Sequence, residues 1–66
     1  MNIVLYSQRR TALAKARRSS TLAGLPVVHV FKVGRRTFAV APDGAAIKGA
    51  LVATARAGRL RYRWRK

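Results

Sequence analysis

A chain of 66 residues has room for one small domain, and fifteen lysines and arginines against a single aspartate give it a formal net charge of +14. The chain has no cysteine and only one histidine, which excludes a disulfide framework, a structural metal site and a paired acid–base mechanism. We therefore predict a non-enzymatic protein without a cofactor, whose partner is a polyanion; nucleic acid is the first candidate.

Residues 1–24 are predicted to form an N-terminal arm followed by a helix. Residues 2–6 are a short apolar run that suits an edge strand or a docking arm. From Gln8 to Arg18 the sequence is rich in good helix formers, with Ala12, Leu13 and Ala16 on one side. Arg10, Arg17 and Arg18 lie mostly on the other side. The helix as a whole carries a basic cluster that either contacts phosphate or solubilises the helix: Arg9, Arg10, Lys15, Arg17 and Arg18.

Residues 25–66 begin with a predicted β-hairpin. Two β-branched and aromatic segments, 27–33 and 36–41, flank Gly34, which suits the first position of a two-residue turn. This register places Phe31 opposite Phe38. The tip carries a second basic cluster, which either probes a groove or a folded RNA or merely protects the strand edge: Lys32, Arg35 and Arg36.

A second helix is predicted from Gly44 to about Ala57, because this segment is small and apolar, Asp43 can cap its start and Gly58 follows its end. Residues 59–66 then alternate between basic and apolar side chains, which is typical of a strand. Such a strand spaces its arginines about 6 to 7 Å apart, close to the phosphate repeat of one nucleic-acid strand. We expect this row to bind phosphate, with a solvated strand face as the alternative: Arg59, Arg61, Arg63 and Arg65, with Lys66 at the end.

The large apolar side chains are few, and we expect them to form the core or to dock on a protein partner: Phe31, Phe38, Leu60, Tyr62 and Trp64. Base stacking beside the arginines is the alternative interpretation of these aromatic residues. His29 lies within an apolar strand, where a structural role is expected, and the sequence gives no sign of a nucleophile and a second acid around it.

Together these elements predict an α+β fold in a single basic domain, residues 1–66, with the order helix, β-hairpin, helix, strand, completed by partner chains. The longest stretch without a charge, residues 19–31, is too short and too polar for a transmembrane segment, which needs about 20 apolar residues. The expected partners are the phosphate backbone of nucleic acid and a larger protein assembly, with no small-molecule substrate.

We predict a sequence-independent nucleic-acid-binding structural protein of a nucleoprotein particle. A minor virion protein that bridges the capsid interior and the genome comes first, and a small ribosomal protein that binds rRNA comes second. Its location is then the virion interior or a cytoplasmic nucleoprotein particle. A free DNA-binding regulator and a cationic membrane-interacting peptide are the remaining alternatives. The regulator is disfavoured because only Asn2 and Gln8 offer the amide side chains that often read bases.

Overall fold

The computed structural model describes residues 3–22 and 26–63, which form a five-stranded antiparallel sheet with a helix packed on one face. The strand order is β1-β3-β2-β4-β5, so β2 is central and β1 and β5 are the edges. In chain order the elements are β1 (Val4–Tyr6), α1 (Arg9–Ser19), β2 (Val28–Gly34), β3 (Thr37–Pro42), β4 (Ala50–Arg56) and β5 (Arg59–Tyr62).

Helix α1 forms where the sequence predicts it, displaced by one residue at each end. Ala12 and Ala16 lie one turn apart and are fully buried, and Leu13 is half-buried. The predicted apolar side of the helix is therefore the side that packs. Arg17 and Arg18 lie in the last turn, where the helix dipole favours cations.

The core lies between α1 and one face of the sheet, which we call the helix face, and it consists of small side chains. Val28 and Val30 from β2 are the largest apolar side chains that are fully buried. Partly buried apolar side chains pack at the margin of this core, and all but Val52 are larger than valine: Tyr6, Leu13, Phe38, Val52 and Leu60. A fully buried valine contributes about 1.5 to 3 kcal/mol, so this core stabilises the fold modestly and each contact that fastens its edges counts.

The predicted second helix is wrong, and the fold is mainly β: strand makes up 47% of the described residues and helix 19%. Residues 45–49 are irregular, and β4 occupies the rest of the segment. Val52 and Thr54 are β-branched, and β4 pairs with both β2 and β5. A Cβ atom on Gly49 would lie 2.7 Å from the carbonyl oxygen of Lys32, so this glycine permits a close backbone approach. Pairing with two strands outweighs the helix propensity of the alanines.

The predicted register of the first hairpin is also wrong. The turn is at Arg35 and Arg36, and the pairing shifts between Lys32 and Gly34. Phe31 consequently lies opposite Ala39, while Phe38 lies opposite Lys32. Because successive strand residues point to opposite faces, Phe38 joins the margin of the core and Phe31 lies on the other face of the sheet.

The segment between β3 and β4 crosses the sheet. Both strands are antiparallel to β2, so they run parallel to each other and residues 43–49 must return along the length of the sheet. Helix α1 occupies the helix face, whereas Ala39 and Ala41 on the opposite face are also fully buried. Asp43, at the start of the segment, contacts His29 on that same face. We call residues 43–49 the crossover segment and the face that they cover the crossover face.

A hydrogen-bonded junction fastens the β4–β5 turn to the end of α1. The turn residues Ala57 and Gly58 both have positive φ, 52° and 79°, as a type I′ hairpin turn requires. The Gly58 N–H donates to the Ser20 hydroxyl oxygen at 2.8 Å, and Arg17 Nε donates to the Gly58 carbonyl at 2.9 Å. The Ser20 hydroxyl donates to the Arg17 carbonyl at 2.8 Å, and Ser20 is fully buried. We call this network the Ser20–Gly58 junction.

We predict that Ser20→Ala destabilises the protein by about 1 to 3 kcal/mol, because it leaves the Gly58 N–H without its acceptor. Urea unfolding followed by circular dichroism measures the change. Ser19→Ala, in the same helical turn, is the matched control and should change the free energy of unfolding by about 0.5 kcal/mol or less. Equal effects of the two substitutions would contradict the role of the junction.

We also predict that substitutions at the two neighbouring residues of this turn change the free energy of unfolding in opposite directions. Ala57→Gly should stabilise the protein by about 0.5 to 1 kcal/mol, because alanine is strained in the left-handed region. Gly58→Ala should destabilise it by about 2 kcal/mol or more, because its φ is positive and the new Cβ would lie 2.7 Å from Thr21 Cγ2. The same unfolding measurement tests both variants, and a shared sign would refute the turn geometry.

Candidate nucleic-acid interface

A shallow groove lies on the crossover face between β4 and the edge strand β5. Its lining residues are Thr54, Arg56, Arg59, Leu60 and Arg61. We call it the arginine groove. The register explains how its polar side chains meet, because Arg56 pairs with Arg59 and Thr54 with Arg61, and residues directly opposite each other in a sheet share a face.

The groove contains part of the row predicted from the alternation of residues 59–66. Arg59 and Arg61 lie on β5, and Arg63 follows the strand; all three are exposed, and the Arg63 N–H donates to the Val52 carbonyl at 3.0 Å. Arg63 lies just beyond the end of β5 and is not among the residues that line the groove. The remaining residues of the predicted row, Arg65 and Lys66, lie outside the described residues, as does Trp64.

Arg56 was missed by the sequence analysis, which assigned it to a helix. The dipeptide Ala57-Gly58 between two arginines could have revealed it, because a two-residue hairpin turn brings the flanking residues directly opposite each other. Like charges at such positions repel, so the Arg56–Arg59 pair costs stability in the isolated chain. An anion bound between the two guanidinium groups would remove this cost.

The structure also assembles a hydroxyl, an imidazole and a carboxylate, although no such set was expected around His29. His29 Nδ1 lies 2.9 Å from Thr54 Oγ1, and its Nε2 lies 2.8 Å from Asp43 Oδ1. An ionised carboxylate only accepts, so Nε2 carries a proton, and in the neutral ring Nδ1 accepts from the Thr54 hydroxyl.

The order of these groups is that of hydrolase triads, but their surroundings indicate a structural role. The Asp43 side chain is 71% exposed, so water screens its charge. The hydrogen bonds tie the crossover segment to β2 and β4. They also connect the only side-chain carboxylate of the chain, through His29, to Thr54 in the groove.

The other predicted basic clusters do not join the arginine groove. The five basic residues of α1 are exposed on the helix side of the sheet, where Arg9 lies 5.9 Å from the centre of the Tyr62 ring. Lys32, Arg35 and Arg36 are exposed at the hairpin tip, at the end of the sheet opposite the β4–β5 turn. Sequence alone could not tell that the three clusters occupy separate surfaces.

The predicted core or docking residues also divide between the two faces. Phe38 and Leu60 pack against the core, and Tyr62 is 41% exposed on the helix side of β5. Phe31 is half-buried on the crossover face, with its ring centre 6.1 Å from that of His29.

The apolar side of α1 faces the sheet, which argues against a helix that inserts into lipid through that side. Among the described residues, none of the helical structure is both long and apolar enough to cross a bilayer.

We predict that acid weakens the fold through Asp43. The hydrogen bond from His29 is the largest cause that holds the pKa of Asp43 below its ordinary value; burial opposes the shift, and the charges of His29 and Arg56 favour it. A lowered folded-state pKa stabilises the protein above the unfolded pKa of about 4, and this stability is lost as pH falls through the folded value. Unfolding midpoints in urea should therefore decrease between about pH 5 and pH 2.

Asp43→Asn is the control for this acid effect, because Asp43 is the only side-chain carboxylate in the chain. The variant should be less stable than the wild type at pH 6 and should show a smaller loss on acidification. An identical acid response of the two proteins would contradict the assigned role of the His29–Asp43 contact.

Comparison of this chain with models of protein families, with curated proteins and with solved structures finds no match. The function is therefore argued from the geometry and charge of the arginine groove.

Proposed function

We propose that the protein is a non-enzymatic structural component of a nucleoprotein particle that binds nucleic-acid phosphate through the arginine groove. One observation carries this proposal: Arg56, Arg59 and Arg61 line the same groove. The only side-chain carboxylate in the chain, Asp43, is already hydrogen-bonded to His29. The guanidinium groups are thus left for an external anion, and each guanidinium can bind a phosphate with two parallel hydrogen bonds.

The net charge of +14 supports a polymeric anion over a single small one. Lysine and arginine side chains on every part of the molecule attract a polyanion and release its condensed counterions. Contacts of this kind act on phosphate and carry no sequence information, so we expect binding without a base preference.

For the particle, we place the virion interior ahead of the ribosome because arginine outnumbers lysine in this chain. Both settings demand the same two properties, phosphate binding and attachment to a larger assembly.

We predict that the double variant Arg59→Gln, Arg61→Gln weakens binding to oligonucleotides of unrelated sequence and lowers the slope of log K against log salt by about 1.4 to 1.8. Each lost phosphate contact lowers this slope by about 0.7 to 0.9. Fluorescence anisotropy with labelled DNA and RNA, from low to high salt, measures both quantities.

The matched control removes the same charge from α1, as Arg10→Gln, Lys15→Gln. Both residues are exposed on the helix side, so this pair should change the slope by less than the groove pair. Equal effects of the two pairs would mean that the overall charge acts without a defined interface. No binding by the wild type at moderate salt would refute the proposed function.

A further inference from the structure

The arginine groove is narrow. Its floor is β4, and neighbouring strands of a sheet lie about 4.8 Å apart, so β2 and β5 are separated by roughly 10 Å. The crossover segment starts on the inner side, where Asp43 is hydrogen-bonded to His29 and His29 in turn to Thr54 on the floor. Arg59 and Arg61 form the outer side. The start of the crossover segment therefore lies towards β2, and a single row of arginines lies on the outer side.

The row of arginines on β5 matches one chain of phosphates. Alternate strand residues are about 6.7 Å apart, so Arg59 and Arg61 can meet successive phosphates of an extended strand. Arg63, the next alternate residue of the chain, follows them just beyond β5. Arg56, across from Arg59, can reach the same strand from the inner side of the groove. The Thr54 hydroxyl lies between these side chains on the floor.

We propose that the arginine groove takes one single strand of DNA or RNA, running along β5 with its phosphates on the arginines, in preference to a duplex. This inference rests on the proposed function and specifies its ligand. A single strand can enter the groove and contact Arg56 and Thr54. Guanidinium planes can also stack on its exposed bases, which are accessible only when the strand is unpaired.

A duplex fits this site poorly. Its second strand would collide with the crossover segment, so the duplex would reach only the outer row on β5 and the basic clusters elsewhere on the surface. Arg56 therefore distinguishes the two ligands, because it lies on β4, inside the edge strand. A strand that lies in the groove contacts it, whereas a duplex held on the outer row does not.

The experiment compares mixed-sequence single strands of 12 nucleotides, as DNA and as RNA, with a hairpin duplex of 12 base pairs at the same salt. We expect the single strands to bind about tenfold tighter per site. Arg56→Gln should lower single-strand affinity several-fold and reduce its salt slope by about 0.7, with a smaller effect on the duplex. Arg36→Gln, which removes one arginine from the hairpin tip, is the matched control and should affect both ligands alike.

A length series of thymidine oligonucleotides tests the size of the site. The affinity should rise steeply up to about five nucleotides, enough to place phosphates on the three arginines of the row, and only slowly thereafter. Circular dichroism of each variant establishes that it remains folded.

Three results would overturn the inference. The first is a duplex that binds as tightly as the single strands. The second is an equal loss of affinity for the single strand and for the duplex in the Arg56→Gln variant. The third is single-strand binding that none of the groove variants weakens. The duplex could bind tightly and its binding could still show a lower salt slope in the Arg59→Gln, Arg61→Gln double variant. In that case the proposed function stands and only the single-strand preference fails. If neither ligand binds at moderate salt, the proposed function itself is wrong.

Discussion

The Ser20–Gly58 junction determines where the arginine-bearing edge strand lies. Strand β5 has only β4 as a partner, and an isolated two-stranded hairpin is at best marginally stable in water. The buried Ser20 hydroxyl and the Arg17 guanidinium hold both polar atoms of the Gly58 backbone, so the turn is fixed to the end of α1. The helix on one face of the sheet thereby positions the arginine groove on the other.

The high net charge and the small core both lower the stability of the folded protein on its own. The buried side chains are mostly alanine and valine, so apolar burial offers little surplus stability against the repulsion among fifteen basic residues. The Arg56–Arg59 pair concentrates this repulsion in the hairpin that forms the groove. A bound polyanion would relieve the repulsion and stabilise the folded state by mass action, so nucleic-acid binding and folding are coupled in this account.

The elements that depend on local sequence could be predicted, and those that depend on distant pairing could not. Helix α1 is a run of good helix formers with a clear apolar side, and it forms within one residue of its predicted bounds. Strand β4 has similar small residues, but its structure is decided by pairing with β2, more than twenty residues earlier in the chain. The first hairpin was recognised from its composition, whereas one extra residue near Gly34 moved Phe31 away from Phe38.

In the candidate site, too, the part that depends on local sequence could be predicted and the part that depends on distant pairing could not. The alternating arginines identified the outer row of the groove, because a period of two is visible in the sequence itself. The inner border could not be found in this way. Thr54 and His29 meet only because β4 and β2 are paired in register, and Asp43 joins them only because the crossover segment returns over that face.

The central claim, that the crossover face along β5 is where nucleic acid binds, is tested most directly by mapping backbone amide chemical shifts during titration with a short single-stranded oligonucleotide. The account predicts that the largest changes fall on β4 and β5, around Thr54, Arg59 and Arg61, with small changes on the outer side of α1. Changes concentrated on α1 or on the turn at Arg35 and Arg36, with β5 unaffected, would contradict it.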